Sequence, residues 1–176
     1  MAKMSSANTK KLRLTYDQYE NLVSDLCRQI VNSSWRPDYV VGISRGGLMA
    51  ATMISHYFDI PMQPLEVSLR DGGICVSHGA MAEDAYGYDM DAPKNMLIVD
   101  DINDSGATFN WIINDWQTGI CSVERWDNIW NNNVKFAVIV DNLDSQCKVS
   151  MDFVGMEINK SNDNVWIEFP YEVWWK

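Results

Sequence analysis

A 13-residue stretch, MLIVDDINDSGAT (residues 96–108), decides the fold of this chain. It opens with a fully apolar run at residues 96–99, which is typical of a buried parallel strand. Two adjacent carboxylates, Asp100 and Asp101, end that strand. A short polar loop then leads into a helix that we predict over about residues 107–116. The succession of strand, loop and helix predicts one unit of an α/β fold.

Neighbouring segments continue this alternation of strands and helices. Thr15 is a predicted cap for a helix that runs to about Asn32, and Pro37 interrupts its apolar spacing. Further apolar or β-rich runs predict strands at 39–43, 61–69, 135–140 and 165–167. One more apolar run predicts a buried helix at 48–58. Strands that alternate with helices in a short chain predict a mainly parallel central sheet.

Composition and charge exclude several classes of protein. The chain has 176 residues, with 24 acidic against 14 basic side chains and a net charge of −10. This acid excess argues against a nucleic-acid partner, which needs a basic face. The sequence contains no secretory h-region, no apolar run long enough for a membrane span and no CxxC pair. We therefore expect one cytoplasmic domain with no nucleic-acid or membrane partner.

The loop after the acid pair carries the residue types that bind an anion. Gly106 lets the backbone approach closely, and the following helix presents unpaired N–H groups. Ser105 and Thr108 add hydroxyl donors, while Asp100 and Asp101 can accept hydrogen bonds from a vicinal diol, directly or through a metal ion. The stretch therefore predicts a ligand with a phosphate and a ribose. The alternative is a solvated strand end followed by ordinary helix capping.

Three segments carry a resemblance to a known family. The run Ile98–Thr108 resembles the 5-phosphoribosyl-1-pyrophosphate (PRPP) binding motif of type I phosphoribosyltransferases. The turn Ser44-Arg45-Gly46-Gly47 resembles the family's pyrophosphate loop, and VWIEFP (residues 165–170) resembles the C-terminal segment of the xanthine–guanine phosphoribosyltransferases. The resemblance implies the type I phosphoribosyltransferase fold, with a mainly parallel central sheet flanked by helices and a small hood or flap.

The resemblance also implies an activity and a cofactor. A 5-phosphoribosyl group would pass from PRPP to a 6-oxopurine (guanine, xanthine or hypoxanthine) in purine salvage, with release of diphosphate. Mg²⁺ would bind at Asp100 and Asp101, and Asp104 would be the catalytic acid–base group. The residues that the resemblance places on PRPP are Ser44, Arg45, Gly46, Arg70, Asp100, Asp101, Asp104, Ser105, Gly106, Ala107 and Thr108.

The base site is implied less completely. Trp166 would stack on the purine ring and the backbone at Ile167 would meet its edge, although a Trp in an apolar strand can equally be a core residue. Purine enzymes of this family typically place a Lys after the strand at 136–140, and this chain has Asn142 near that point. We assign Asn142 to the base site, and the identity of the base stays open.

Other segments depart from a compact family member. We predict a flexible arm at 1–14, a flap at 70–93 in which Arg70 is the only Lys or Arg before Lys94, and an insertion at 117–133. A homodimer or homotetramer is expected, with the tryptophans at 111–130 as interface material. Two alternative functions remain: a PRPP-dependent transferase for another base, and a catalytically weak PRPP-sensing regulator.

Overall fold

Seven strands and four helices make up the part of the chain that the computed structural model describes, residues 10–67, 79–87, 92–119, 126 and 128–175. The strands are β1 (Lys10–Arg13), β2 (Tyr39–Ser44), β3 (Met62–Glu66), β4 (Met96–Asn103), β5 (Val134–Asn142), β6 (Phe153–Ile158) and β7 (Val165–Glu168). The helices are α1 (Tyr16–Asn32), α2 (Gly47–Phe58), α3 (Gly79–Tyr86) and α4 (Ala107–Gly119), and a single 3-10 turn covers Pro170–Glu172.

The central sheet has five parallel strands in the order β3-β2-β4-β5-β6. In chain order, β3 joins the sheet on one side of β2, and β4 then joins on the opposite side of β2. This reversal opens a crevice between the carboxyl ends of β2 and β4, which is where open α/β sheets bind ligands. The predicted α/β class and the mainly parallel sheet are therefore confirmed.

Each face of the sheet is covered by its own apolar core. Successive strand residues point to opposite faces, so Val41 and Ile98 face one core while Val40 and Leu97 face the other. Helices α3 and α4 pack on the first face, and helices α1 and α2 pack on the second. Coverage of both faces explains why the strands are almost continuously apolar in sequence.

Helix α1 begins where the sequence predicts. The Thr15 hydroxyl accepts a hydrogen bond from the Gln18 N–H at 3.2 Å, and the Gln18 side chain accepts one from the Thr15 N–H at 2.9 Å. This reciprocal pair satisfies two N–H groups that a helix start leaves unpaired.

Among the helices described, none is long and apolar enough to cross a membrane.

The predicted flexible arm is wrong for its last residues. Residues 10–13 form β1, which pairs in parallel with β7 in a separate two-stranded sheet. Arg13 Nε lies 2.7 Å from a carboxylate oxygen of Glu168, and Leu14 is buried in the second core. The Arg13 hydrogen bond is the main cause of a lowered pKa at Glu168. The pairing joins residues more than 150 positions apart, so local sequence patterns do not show it.

Part of the predicted flap is a core helix. Residues 79–86 form α3, which buries Met81, Ala82 and Ala85 in the first core. Small alanines give a weak apolar period, which is why the sequence did not predict this helix. The remainder of the flap, including Arg70, lies almost entirely outside the described residues.

The tryptophans assigned to an interface are mostly core residues. Trp116, Trp126 and Trp130 are at most 8% exposed. Trp130 stacks on both of the other two at 5.9 Å between ring centroids, and on Phe136 of β5 at 5.6 Å. The described part of the predicted 117–133 insertion therefore adds to the first core, and these three rings are not available to a partner subunit.

Strand β6 was not predicted. Its sequence, FVGMEI, holds Gly155, and glycine weakens a strand pattern. Glycine at this position lets β6 lie close to β5, because a Cβ at Gly155 would lie 2.7 Å from the carbonyl oxygen of Ile139. The pairing with β5, over Phe153 to Ile158, determines that β6 is an edge strand.

Helix α2 touches β4 at a point that excludes any side chain. Gly47→Ala should lower the free energy of unfolding by about 1–3 kcal/mol, since added atoms in a close-packed contact force strain. A Cβ there would overlap the carbonyl oxygen of Val99 and lie 2.9 Å from Asp100 Cα. Urea denaturation would measure the change.

Gly79→Ala is the matched control. A Cβ at Gly79, the first residue of α3, meets no atom within 4 Å, and alanine favours helix over glycine. This variant should be as stable as the parent or more so. Equal losses in both variants would contradict the close approach at Gly47.

Candidate active site

The crevice between β2 and β4 brings the predicted PRPP residues together. Ser44, Arg45 and Gly46 follow β2, and Asp100 and Asp101 lie near the end of β4. The two strands pair directly, so their carboxyl ends meet at the same edge of the sheet. A pyrophosphate-type turn and an acid pair that are 55 positions apart in the chain thus face one cavity, as the sequence predicted.

The acid pair is buried with little to offset its charge. Asp100 is 8% exposed, and one of its carboxylate oxygens accepts a hydrogen bond from the Asp101 N–H at 2.9 Å. Burial raises the pKa of Asp100 well above its usual range, and the charge of Asp101 raises it further. Burial also raises the pKa of Asp101. A cation that binds here would stabilise both carboxylates in their ionised form.

Tyr171 ties the acid pair to the β2 turn. Its hydroxyl lies 2.8 Å from a carboxylate oxygen of Asp101 and 3.2 Å from the carbonyl oxygen of Gly46, and it donates to these acceptors. The peptide bond between Ser44 and Arg45 is cis. A Cβ at Gly46 would overlap the Asp101 carboxylate, so only glycine lets the turn approach so closely. No motif in the sequence marks Tyr171 as a site residue.

The loop between β4 and α4 has the shape of an anion cradle. Gly106 has φ of +82°, and a Cβ there would lie 2.7 Å from Cys147 Cα. Ser105 Oγ accepts a hydrogen bond from the Ala107 N–H at 3.3 Å. The N–H groups at the start of α4 have no partner within the helix, and the helix dipole favours an anion beside them.

Two adjoining cavities occupy the crevice. The larger has a volume of about 840 Å³ and the smaller about 360 Å³, and both are lined by Asp100, Asp101, Thr108 and Glu172. The remaining lining of the larger cavity is Ile43, Ser44, Arg45, Gly46, Glu66, Val67, Tyr171 and Trp175. The remaining lining of the smaller cavity is Ile102, Asp104, Ser105, Ala107, Lys160, Trp166, Ile167 and Phe169.

Trp166 lines the smaller cavity and is 50% exposed, so the alternative of a core tryptophan does not apply. Its neighbours in β7, Val165 and Ile167, point to the second core and are buried. Alternation along the strand therefore places the indole on the open side. A flat, half-exposed ring at a cavity wall is suited to stacking against a planar ligand.

Asn142 does not occupy the position expected of it. It is 5% exposed and lines neither cavity. Its side-chain N–H donates to the carbonyl oxygen of Asp104 at 2.9 Å, and its oxygen accepts from the N–H groups of Asp144 and Lys160. Those bonds turn the amide inward, where it joins three loops, and the assignment of Asn142 to the base site stays a prediction.

Lys160 is the functional candidate that the sequence analysis missed. It follows β6 in a polar segment without a recognisable motif, and its ammonium lies 2.7 Å from a carboxylate oxygen of Asp104. Glu66, Glu172 and Trp175 were missed as well, and they line the larger cavity. Only the arrangement of loops at the sheet edge brings these residues to the crevice.

Comparison with known proteins identifies the class. A model of the phosphoribosyl transferase domain matches residues 15–174. The chain therefore belongs to the phosphoribosyltransferase family, and it is a type I phosphoribosyltransferase. Xanthine phosphoribosyltransferase 1 of Saccharomyces cerevisiae is 21% identical, over 76% of this chain and 73% of that protein.

Solved structures share the fold. A purine phosphoribosyltransferase from Pyrococcus horikoshii superimposes with a TM-score of 0.66 at 24% identity, over 92% of this chain and 94% of that one. A Helicobacter pylori xanthine-guanine-hypoxanthine phosphoribosyltransferase gives 0.64 at 16% identity, over 94% and 95%. Similarity at this level of identity shows a shared fold only. The roles of the site residues are therefore argued from the geometry of this chain.

The raised pKa of Asp100 predicts a stabilised variant. Because the folded-state pKa exceeds the unfolded one, the folded protein holds more protons between the two values, and stability falls as pH rises through that window. Asp100→Asn removes this loss and should raise the melting temperature at pH 7 by roughly 2–4 °C, the shift that about 1 kcal/mol produces at this size. Thermal unfolding at pH 7 and pH 4 would measure it.

Asp25→Asn provides the control for this measurement. Asp25 pairs with Arg28 on the exposed side of α1, and exposed pairs contribute little to stability. The advantage of Asp100→Asn should shrink toward pH 4, where the parent carboxyl is already protonated. An Asp100→Asn melting temperature equal to that of the control at both pH values would contradict the assigned pKa shift.

Proposed function

We propose that this phosphoribosyltransferase transfers 5-phosphoribosyl from PRPP to a 6-oxopurine, giving a nucleotide and diphosphate in purine salvage. The observation that carries the proposal is the shared acid pair of the two adjoining cavities. The larger cavity is also lined by the pyrophosphate-type turn, and the smaller is also lined by residues of the anion loop and by the half-exposed Trp166. A ribose at Asp100 and Asp101 would place its diphosphate and its base in different cavities.

Mg²⁺ fits this site on the chemistry of its donors. Mg²⁺ usually takes one or two protein carboxylates and completes its shell with water and substrate oxygens. Asp100 and Asp101 supply that pair, and no cluster of three or more acidic, His or Cys ligands occurs among the residues described. When bound, the ion would neutralise charge on the diphosphate as it leaves.

Electrostatics of the larger cavity favour a metal-bound diphosphate. Four carboxylates line it, from Glu66, Asp100, Asp101 and Glu172, and Arg45 is the one Lys or Arg among its described lining residues. A bare polyanion would be repelled by this surface. Arg45 and the backbone at Gly46 would bind the diphosphate, and the contribution of Arg70 stays a prediction.

The remaining residues would position the ribose phosphate and the base. Asp104, Ser105, Gly106, Ala107 and Thr108 form the loop that would hold the 5′-phosphate, with Gly106 providing the bend. Side chains from β7 would hold the base, through stacking on Trp166 and contact with Ile167. Rigid binding of both reactants lowers the entropic part of the barrier to transfer.

The chemical step exchanges two bonds at ribose C1. The bond from C1 to the diphosphate oxygen breaks with its electron pair, and a purine nitrogen forms a new bond to C1. Asp104 would accept the proton that the purine nitrogen loses. Its carboxylate lines the smaller cavity and is 48% exposed, so it can reach a ligand there. The developing positive charge on the ribose would be stabilised by the acid pair.

An activity assay distinguishes this proposal from its alternatives. With PRPP and Mg²⁺, the protein should convert guanine, xanthine or hypoxanthine, and adenine, uracil and orotate should react poorly. Chelation of the metal should abolish turnover. Turnover of another base alone would favour the transferase of different specificity. Tight PRPP binding without turnover of any base would favour the regulator.

Asp104→Asn should lower kcat by roughly 10²–10⁴-fold while the fold is retained, since general acid–base groups contribute about that much. Steady-state kinetics and circular dichroism would measure both effects. Asp25→Asn, on the exposed side of α1, should match the parent in both. Unchanged kinetics in Asp104→Asn would remove this residue from the mechanism.

Trp166→Ala should raise KM for the base by about 5–150-fold, the range that corresponds to 1–3 kcal/mol for stacking on an aromatic side chain. KM for PRPP should change little. Trp174→Ala is the matched control, because Trp174 is 72% exposed and lines neither cavity. Equal effects of the two substitutions would contradict a stacking role for Trp166.

A further inference from the structure

The Tyr171 hydroxyl lies between the two halves of the larger cavity. It is 2.8 Å from a carboxylate oxygen of Asp101, in the acid pair, and 3.2 Å from the carbonyl oxygen of Gly46, in the β2 turn. It comes from a third segment, 125 positions beyond Gly46 and 70 positions beyond Asp101 in the chain. One side chain therefore joins the residues proposed for the cation to those proposed for the diphosphate.

Aromatic packing holds the ring of Tyr171 in place. The ring stacks on Phe169 with 5.6 Å between ring centroids, and it meets Tyr19 of α1 edge-on at 5.7 Å. Both neighbours are buried in the second core. The Glu172 side chain accepts a hydrogen bond from the Phe169 N–H at 3.0 Å, within the turn that carries Tyr171. The hydroxyl is therefore a preorganised group, whose position is set by the core.

The hydroxyl has one proton and two acceptors. A phenol ordinarily titrates near pH 10, so at neutral pH it keeps its single O–H donor. An ionised carboxylate is a stronger acceptor than a peptide carbonyl. The 2.8 Å separation from Asp101 is ordinary for an O–H···O hydrogen bond, whereas the 3.2 Å separation from Gly46 is long. The proton therefore lies mainly toward Asp101 while that carboxylate carries its full charge.

Close packing links the same two segments a second time. A Cβ at Gly46 would overlap the Asp101 carboxylate, and a Cβ at Gly47 would lie 2.9 Å from Asp100 Cα. The Asp101 N–H also donates to the Asp100 carboxylate at 2.9 Å. Because close-packed groups transmit strain, a shift of the acid pair changes the position of the turn, and a shift of the turn changes the acid pair.

We propose that Tyr171 is a positioning residue that couples the cation site at the acid pair to the diphosphate turn; this inference rests on the proposed function. The hydroxyl orients the Asp101 carboxylate, as side chains that hydrogen-bond to a metal ligand commonly do. When charge on Asp101 is neutralised, the Gly46 carbonyl becomes the better acceptor, and the proton can pass to it. The same hydroxyl then holds the turn that would bind the diphosphate.

Calorimetric titration with magnesium diphosphate tests this assignment. Tyr171→Phe removes the hydroxyl and keeps the ring that packs on Phe169 and Tyr19, so the fold should be retained and the circular dichroism should match that of the parent. Binding of magnesium diphosphate should weaken about 10–100-fold, the usual cost of losing a group that hydrogen-bonds to a metal ligand.

Tyr39→Phe is the matched control. The Tyr39 hydroxyl also donates to a carboxylate, that of Asp84, at 3.1 Å. Tyr39 is the first residue of β2, at the end of the strand away from the crevice, and it lines neither cavity. This variant loses a comparable hydrogen bond, but its affinity for magnesium diphosphate should stay within about twofold of the parent, as expected for independent sites.

Steady-state kinetics provide a second measurement. In Tyr171→Phe, KM for PRPP should rise in proportion to the loss of diphosphate affinity, and KM for the base should change by less than about twofold. The reason is that Tyr171 lines the larger cavity, whereas the base would bind in the smaller one. In Tyr39→Phe, both KM values should match those of the parent.

Three outcomes would overturn the assignment. Equal affinities of Tyr171→Phe and Tyr39→Phe for magnesium diphosphate would make the Tyr171 hydrogen bonds structural only. Equal rises in both KM values of Tyr171→Phe would show a general disturbance of the site in place of a specific link. Failure of Tyr171→Phe to fold would assign the hydroxyl to stability.

Failure of the proposed function has a different signature, because it is seen in the parent protein. A parent that binds magnesium diphosphate and turns over no 6-oxopurine would contradict the proposed activity alone. The calorimetric comparison of Tyr171→Phe with Tyr39→Phe would then still decide whether Tyr171 couples the acid pair to the turn.

Discussion

The burial of two adjacent carboxylates at the end of β4 is the constraint on which the site depends. Burial raises the pKa of both carboxyls, and the charge of Asp101 raises the pKa of Asp100 further, so holding the pair in ionised form costs free energy. Neighbouring residues accommodate the buried pair. Tyr171 donates to Asp101, and the glycines at 46 and 47 allow the β2 turn and α2 to lie against the pair. Functional sites often hold such locally unfavourable groups because the ligand stabilises them.

The backbone contacts that stabilise the fold are therefore also the contacts that shape the site. The two-sided apolar core keeps β2 and β4 in register, and that register sets the distance between the turn and the acid pair. Gly106 fixes the position of the loop between β4 and α4. Its positive φ and its lack of a Cβ let that loop lie against the backbone of Cys147. A side chain at Gly47 or Gly106 would displace a backbone segment, and a side chain at Gly46 would displace the Asp101 carboxylate.

Local patterns predicted much of this arrangement, and their failures have physical causes. The capped helix α1 and the apolar strands β2, β4 and β5 follow from periodicity and capping. Strand β1 was missed because only its distant partner β7 makes it a strand. Asn142 was placed in the base site by its position after β5, but the direction of its amide depends on three loops that meet in space.

The sequence by itself determined the α/β class, and residue type and order along one contiguous stretch predicted the acid pair and the anion loop. The role of the turn at residues 44–47 was predicted from the family resemblance. Only the tertiary structure decided that Lys160 and Tyr171 join the site and that Asn142 supports it from behind. Those residues come from separate segments, and hydrogen bonds between segments depend on loop paths that no short-range pattern records.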